Sequence, residues 1–167
     1  MELVGRMMDG SIPPPGGTPK RRVFGWRVNQ DDKILQLQRV PLLADCSRRQ
    51  LRAVARIAEI RELPAGAVVA RAGDPGDEFF VVVDGRATAY VSARKRTRLG
   101  PGSFFGEMSL LDGEPRSATV VADTPLRLIV IPRREFSRVL AEIPDLMHGL
   151  LAVLSRRLRQ AERALNA

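Results

Sequence analysis

The chain has 167 residues, a formal net charge of +8, an apolar fraction of 44%, one cysteine and one histidine. That length holds one core-bearing domain and a tail, and the lone Cys46 rules out an internal disulfide. With no clustered metal ligands and no nucleophile beside a base, the chain reads as a non-enzyme, and no metal is expected.

The first 30 residues hold Pro13-Pro14-Pro15-Gly16-Gly17 and the basic residues Lys20, Arg21, Arg22 and Arg27 with little apolar periodicity. They read as a flexible basic leader, residues 1–30, ahead of a domain spanning 31–167. Asp9, Gly10 and the prolines follow Met7-Met8 where a signal peptide would carry its apolar segment, and no apolar run is long enough to span a bilayer. The expected compartment is the cytoplasm, with no membrane span.

An amphipathic helix is expected from Asp31 to Val40, stopped by Pro41. A second begins after Ser47, where Ser47 and Gln50 fit a capping box. Its buried stripe is Leu51, Val54, Ala55 and Ala58, with Arg48, Arg49, Arg52 and Arg56 facing water. Strand candidates follow at Val68-Val69, Phe79 to Val83, Arg86 to Val91, Ala118 to Ala122 and Leu126 to Ile131, separated by Gly-Asp-Pro-Gly and Asp-Gly turns. Many short strands of this kind build a barrel or a double-sheet roll. Helix resumes near Arg133 and again at Pro144, a first-turn proline. In the last helix Met147, Leu151, Leu154, Leu158, Ala161 and Leu165 alternate steps of four and three. Such a seam serves either a stripe laid on the roll, the expectation here, or a two-stranded coil, so the chain is expected as a monomer or a weak homodimer. The basic residues Arg156, Arg157, Arg159 and Arg163 on this helix are not interleaved with aromatics, and they read as a solvated face. His148 is expected at the surface or at an interface.

The segment from Phe105 to Val120 carries the chemistry. Gly106 lets the backbone approach a ligand closely, and Met108 to Leu111 can form one helical turn whose unpaired N–H groups face an anion. Beyond an Asp112-Gly113 turn, Pro115 precedes Arg116, whose planar fork bonds two phosphate oxygens, and Ser117 adds a hydroxyl. Glu107 supplies an acceptor for ribose hydroxyls. A carboxylate and a guanidinium converging on one concave site suit a ligand in which ribose and phosphate are fused.

Phe-Gly-Glu, a small residue and Leu, then Pro-Arg-Ser-Ala, resembles the phosphate-binding cassette of the cyclic nucleotide-binding domain family. The likeness extends over roughly residues 33 to 165, through Leu63-Pro64-Ala65-Gly66, Gly73-Asp74-Pro75-Gly76-Asp77, Asp84-Gly85 and Leu99-Gly100-Pro101-Gly102. It is similar in particular to the domain of bacterial cyclic-nucleotide-regulated potassium channels. The fold this implies is α+β and mainly β: an antiparallel, jelly-roll-like β-roll flanked by N-terminal helices and C-terminal hinge and lid helices. The implied ligand-binding set is Gly106, Glu107, Met108, Ser109, Arg116, Ser117 and Ala118, with Glu107 on the ribose 2′-hydroxyl and Arg116 on the cyclic phosphate. Leu140, Ile143 and Met147 are implied in hinge and lid packing, and Arg156 or Arg157 as a lid cation stacked on the purine. The expected ligand is cAMP, with cGMP as the alternative, since threonine after the cassette arginine favours guanine in the family and Ser117 can serve either base.

The resemblance implies a regulatory domain that changes the position of its C-terminal helices on binding and controls an effector protein in trans. No sequence-specific DNA binding is expected, because the family's transcription factors carry a helix-turn-helix after the last long helix, where this sequence ends. The alternative function is an interaction protein whose basic ends contact an acidic partner or nucleic acid while the cassette serves structure only, Glu107 and Arg116 stapling the roll as an internal salt bridge. A ligand role for Arg116 predicts that Arg116→Leu weakens binding and leaves the melting temperature without ligand almost unchanged; a structural role predicts a large loss of stability.

Overall fold

The computed structural model describes residues 29–167; the leader expected over residues 1–30 lies almost wholly outside them. Asn29 caps α1 (Gln30–Gln38) by accepting from the Asp32 N–H, and Pro41 opens a short 3-10 turn, Pro41–Leu43. The Ser47/Gln50 capping box is complete at the start of α2 (Arg48–Ile57), where Leu51, Val54 and Ala55 are buried and Arg48, Arg49, Arg52 and Arg56 exposed.

Eight strands follow: β1 (Glu59–Leu63), β2 (Val68–Ala70), β3 (Glu78–Asp84), β4 (Ala87–Tyr90), β5 (Arg96–Leu99), β6 (Phe104–Phe105), β7 (Thr119–Ala122) and β8 (Leu126–Pro132). They form two four-stranded antiparallel sheets with orders β1-β8-β3-β6 and β2-β7-β4-β5. The helix α3 (Glu107–Asp112) interrupts the passage from β6 to β7, and α4 (Arg133–Glu142) and α5 (Pro144–Leu165) close the chain.

Two apolar clusters hold the roll, and the pleat of β3 and β8 divides their side chains between them. Phe80, Val82, Leu126, Leu128 and Val130 meet Ala87, Leu99, Val120 and Ala122 from the facing sheet. Phe79, Val81, Ile129 and Ile131 point the other way, onto Leu37, Val54, Phe136, Val139, Ile143 and Leu146 of the helices. Both central strands are therefore covered on both faces, which is why they read as unbroken apolar runs.

The last helix departs from the expected stripe. Leu146 and Leu150 are its buried residues, with Val153 and Leu154 partly covered. Of the seam, Met147, Leu151, Leu158 and Leu165 stand exposed. The turn at Ile143 fixes the rotation of α5, and only its first half lies on the helical layer, so core contact falls on 146, 150 and 153. His148 is exposed, as expected, and Leu140 and Ile143 are buried at the end of α4. No helix among the described residues is long and apolar enough to cross a membrane.

Candidate functional site

The cassette begins where β6 pairs with β3, Phe105 opposite Phe80 and Phe104 opposite Val81. Gly106 then turns the chain in the left-handed region, at φ 90°, as the residue before α3. A Cβ there would lie 2.6 Å from Arg116 Nη1 and 2.7 Å from the Glu78 carbonyl oxygen, so both backbone angle and close approach demand glycine. Gly113, at φ 74°, ends the helix. The returning limb is clipped to the Gly73-Asp74 turn: the Arg116 N–H donates to Asp74 O and the Gly73 N–H to Arg116 O, both at 2.8 Å.

This brings Glu107 and Arg116 to opposite ends of one short helical excursion. Arg116 donates from Nη1 to Gly106 O at 3.0 Å and from Nη2 to Glu78 O at 2.7 Å, and its guanidinium lies 5.5 Å from the Phe80 ring centre. Burial lowers its pKa, against the opposing pull of Glu78, Asp77 and Glu107. The expected alternative pairing of Glu107 with Arg116 is not what the structure holds. Arg116 instead bridges two backbone carbonyls, which ties the cassette to β3.

The Glu107 side chain is only 3% exposed and pairs with Arg157 of α5, whose Nη1 lies 2.8 Å from Oε1. Arg157 also donates from Nη2 to Phe104 O at 3.2 Å and stacks on the Phe104 ring, 4.7 Å from its centre. Burial pushes the Glu107 carboxyl above the usual carboxylate range; its own backbone N–H and the charges of Arg157 and Arg116 pull it back. Of the two lid candidates, Arg157 thus sits on the carboxylate. Arg156 lines a groove of about 510 Å³ that runs between the 3-10 turn, β5 and α5 and is also bounded by Phe104 and Arg157.

Ser109 is buried inside α3, Met108 and Ser117 are exposed, and Ala118 is half-buried at the mouth of β7. Two contributors escaped the sequence reading. Gly76, read only as part of a turn, is buried with no room for a Cβ beside Ser109 Cβ and the Arg116 guanidinium. Arg133, the first residue of α4, donates from Nη2 to Gly76 O at 2.8 Å and Ser109 O at 3.2 Å, so α4 grips the cassette directly. A glycine in a Gly-Asp-Pro-Gly run and an arginine bonded to carbonyls leave no pattern that distinguishes them from a turn and a solvated charge. No cluster of His, Cys, Asp and Glu able to hold a metal occurs among the described residues.

Known proteins resemble this chain in sequence and in fold. The family model for the cyclic nucleotide-binding domain matches residues 60–142. A cyclic nucleotide-gated potassium channel of Mesorhizobium japonicum is 41% identical over 107 residues, which cover 64% of this chain and 30% of the channel. The chain therefore spans about a third of the length of such curated relatives. Among solved structures, the catabolite activator protein of Thermus thermophilus superposes with a TM-score of 0.70 at 30% identity, covering 75% of this chain and 62% of that one. PKAR CBD2 with Sp-2Cl-cAMPS bound gives 0.66 at 27% identity, covering 80% and 94%. Over residues 60–142 this chain belongs to the cyclic nucleotide-binding domain family.

Proposed function

We propose that the chain is a receptor for a 3′,5′-cyclic nucleotide, cAMP in preference to cGMP, bound between the cassette and α5. The observation that carries the reading is the convergence of a buried carboxylate, Glu107, and a carbonyl-held guanidinium, Arg116, on the two limbs of the excursion that Gly106 opens. Glu107 accepts from the ribose 2′-hydroxyl. Arg116 exchanges its carbonyl acceptors for the cyclic phosphate, a stronger, doubly charge-assisted partner. Gly106, Met108, Ser109, Ser117 and Ala118 supply backbone and hydroxyl bonds around that phosphate. A cAMP analogue bound to a neighbour of the same fold supports the adenine choice.

Ligand capture then changes the contacts of α4 and α5, two elements biased by differential binding, and the moved helices act on an effector in trans. Isothermal titration with cAMP and then cGMP, beside Glu107→Ala and Arg116→Leu, tests the site. Each variant is expected to bind at least about tenfold more weakly, from the loss of a charge-assisted bond. Retention of wild-type affinity in both refutes the assignment.

A further inference from the structure

We infer that Arg157 is a specificity-determining residue: a tethered competitor that occupies the sugar-binding carboxylate and sets how much a ligand's 2′-hydroxyl is worth. The inference rests on the cyclic-nucleotide reading of Glu107.

The argument begins with access. With 3% of its side chain exposed, Glu107 cannot receive a hydroxyl from outside unless its cover moves, and the side chain bonded to it is that of Arg157. The cover is held at three points: Glu107 Oε1, the Phe104 carbonyl and the Phe104 ring. It is also able to leave. The Arg157 side chain is 43% exposed and borders the wide groove between β5 and α5, so the guanidinium has water and open space to move into. A buried carboxylate is poorly tolerated without a partner, which explains why the chain supplies its own cation there.

Binding is therefore an exchange. A ribose hydroxyl gains its bond to Glu107 only as the guanidinium gives up its own, and a neutral donor is a weaker partner for a carboxylate than a charged one. The exchange makes two comparisons diverge. A ligand without the 2′-hydroxyl leaves Arg157 where it is, and loses little against the ribonucleotide in the wild type. With Arg157 removed, the hydroxyl meets an unoccupied carboxylate and its full contribution appears. A residue that simply closed over bound ligand would do the reverse, weakening the ribonucleotide when deleted.

Titration of the wild-type chain and Arg157→Ala with cAMP and with 2′-deoxy-cAMP reads this directly, beside hydrogen exchange of α5 amides without ligand. The variant is expected to bind cAMP about tenfold tighter, the size of one charge-assisted bond removed from the competitor. The ratio of cAMP to 2′-deoxy-cAMP affinity is expected to widen by a similar factor, and amides beyond Val153 to exchange faster. Binding of cAMP that is unchanged or weaker in Arg157→Ala overturns the competitor role while leaving the cyclic-nucleotide reading in place. Absence of binding by either nucleotide to both proteins overturns that reading and this inference with it.

Discussion

Replacing Arg116 with leucine tests whether the guanidinium is a waiting ligand contact or also a structural brace. The side chain makes two charge-assisted bonds, to Gly106 O and Glu78 O, and lies over Phe80. Each bond to a charged group contributes about 1.5–3 kcal/mol when well buried. Arg116 is half-buried, so solvent takes over part of both bonds in the variant, and leucine keeps some packing on Phe80. A net loss of about 2–3 kcal/mol results. In a chain of this size each kcal/mol moves the midpoint by roughly 2–4 °C, so the melting temperature without ligand should fall by about 4–12 °C. This differs from the near-zero change that follows from viewing Arg116 as a phosphate contact alone, and the two carbonyl acceptors are the reason. Thermal unfolding by circular dichroism, with urea denaturation at fixed temperature beside it, measures the effect. A variant that melts within about 1 °C of wild type, with the same urea midpoint, would refute the reasoning.

Gly106→Ala should destabilise by about 2–4 kcal/mol, combining left-handed backbone strain with a Cβ pressed on Arg116 Nη1 and the Glu78 carbonyl; a urea midpoint close to wild type would contradict it. The raised Glu107 pKa sets a pH dependence. Because the folded pKa lies above the unfolded value of 4.5, the group binds more protons in the folded chain over that interval. Its contribution is thus fully present below pH 4.5 and is lost as pH rises through the folded pKa. The stability of wild type relative to Glu107→Gln should accordingly grow on acidification from neutrality toward pH 4.5. A difference that stays flat or shrinks across matched urea titrations would show that the paired arginine, not burial, governs this carboxyl.

Legibility in the sequence followed burial and local chemistry. The central strands β3 and β8 are apolar on both faces and announce themselves; β7 and the capped α2 do so nearly as well. Three strands leave weaker patterns in the sequence, each for its own reason. Glu59-Ile60-Arg61-Glu62-Leu63 reads as polar because Arg61 pairs with Glu78 and Glu62 with Arg127, from strands far along the chain. Arg96 to Leu99 is exposed at a sheet edge except for Leu99, and Phe104-Phe105 is only two residues long. The cassette was legible because glycine, carboxylate and guanidinium must come in that order to be useful. The partner of its carboxylate was not, since Arg157 lies 50 residues away and the rotation of α5 depends on the turn at Ile143.

Arg133 anchors the start of the C-terminal helices. Its backbone N–H is bonded to Asp77 O at 2.8 Å, and its side chain holds Gly76 O and Ser109 O. Helix α4 is thereby riveted at its first residue, while its far end meets α5 through the single residue Ile143. A rearrangement that keeps the rivet would bend at Ile143, with α5, whose 22 residues extend about 33 Å, as its arm. A rotation of roughly 10° at that residue would displace the tip of such an arm by about 6 Å, about one helical turn.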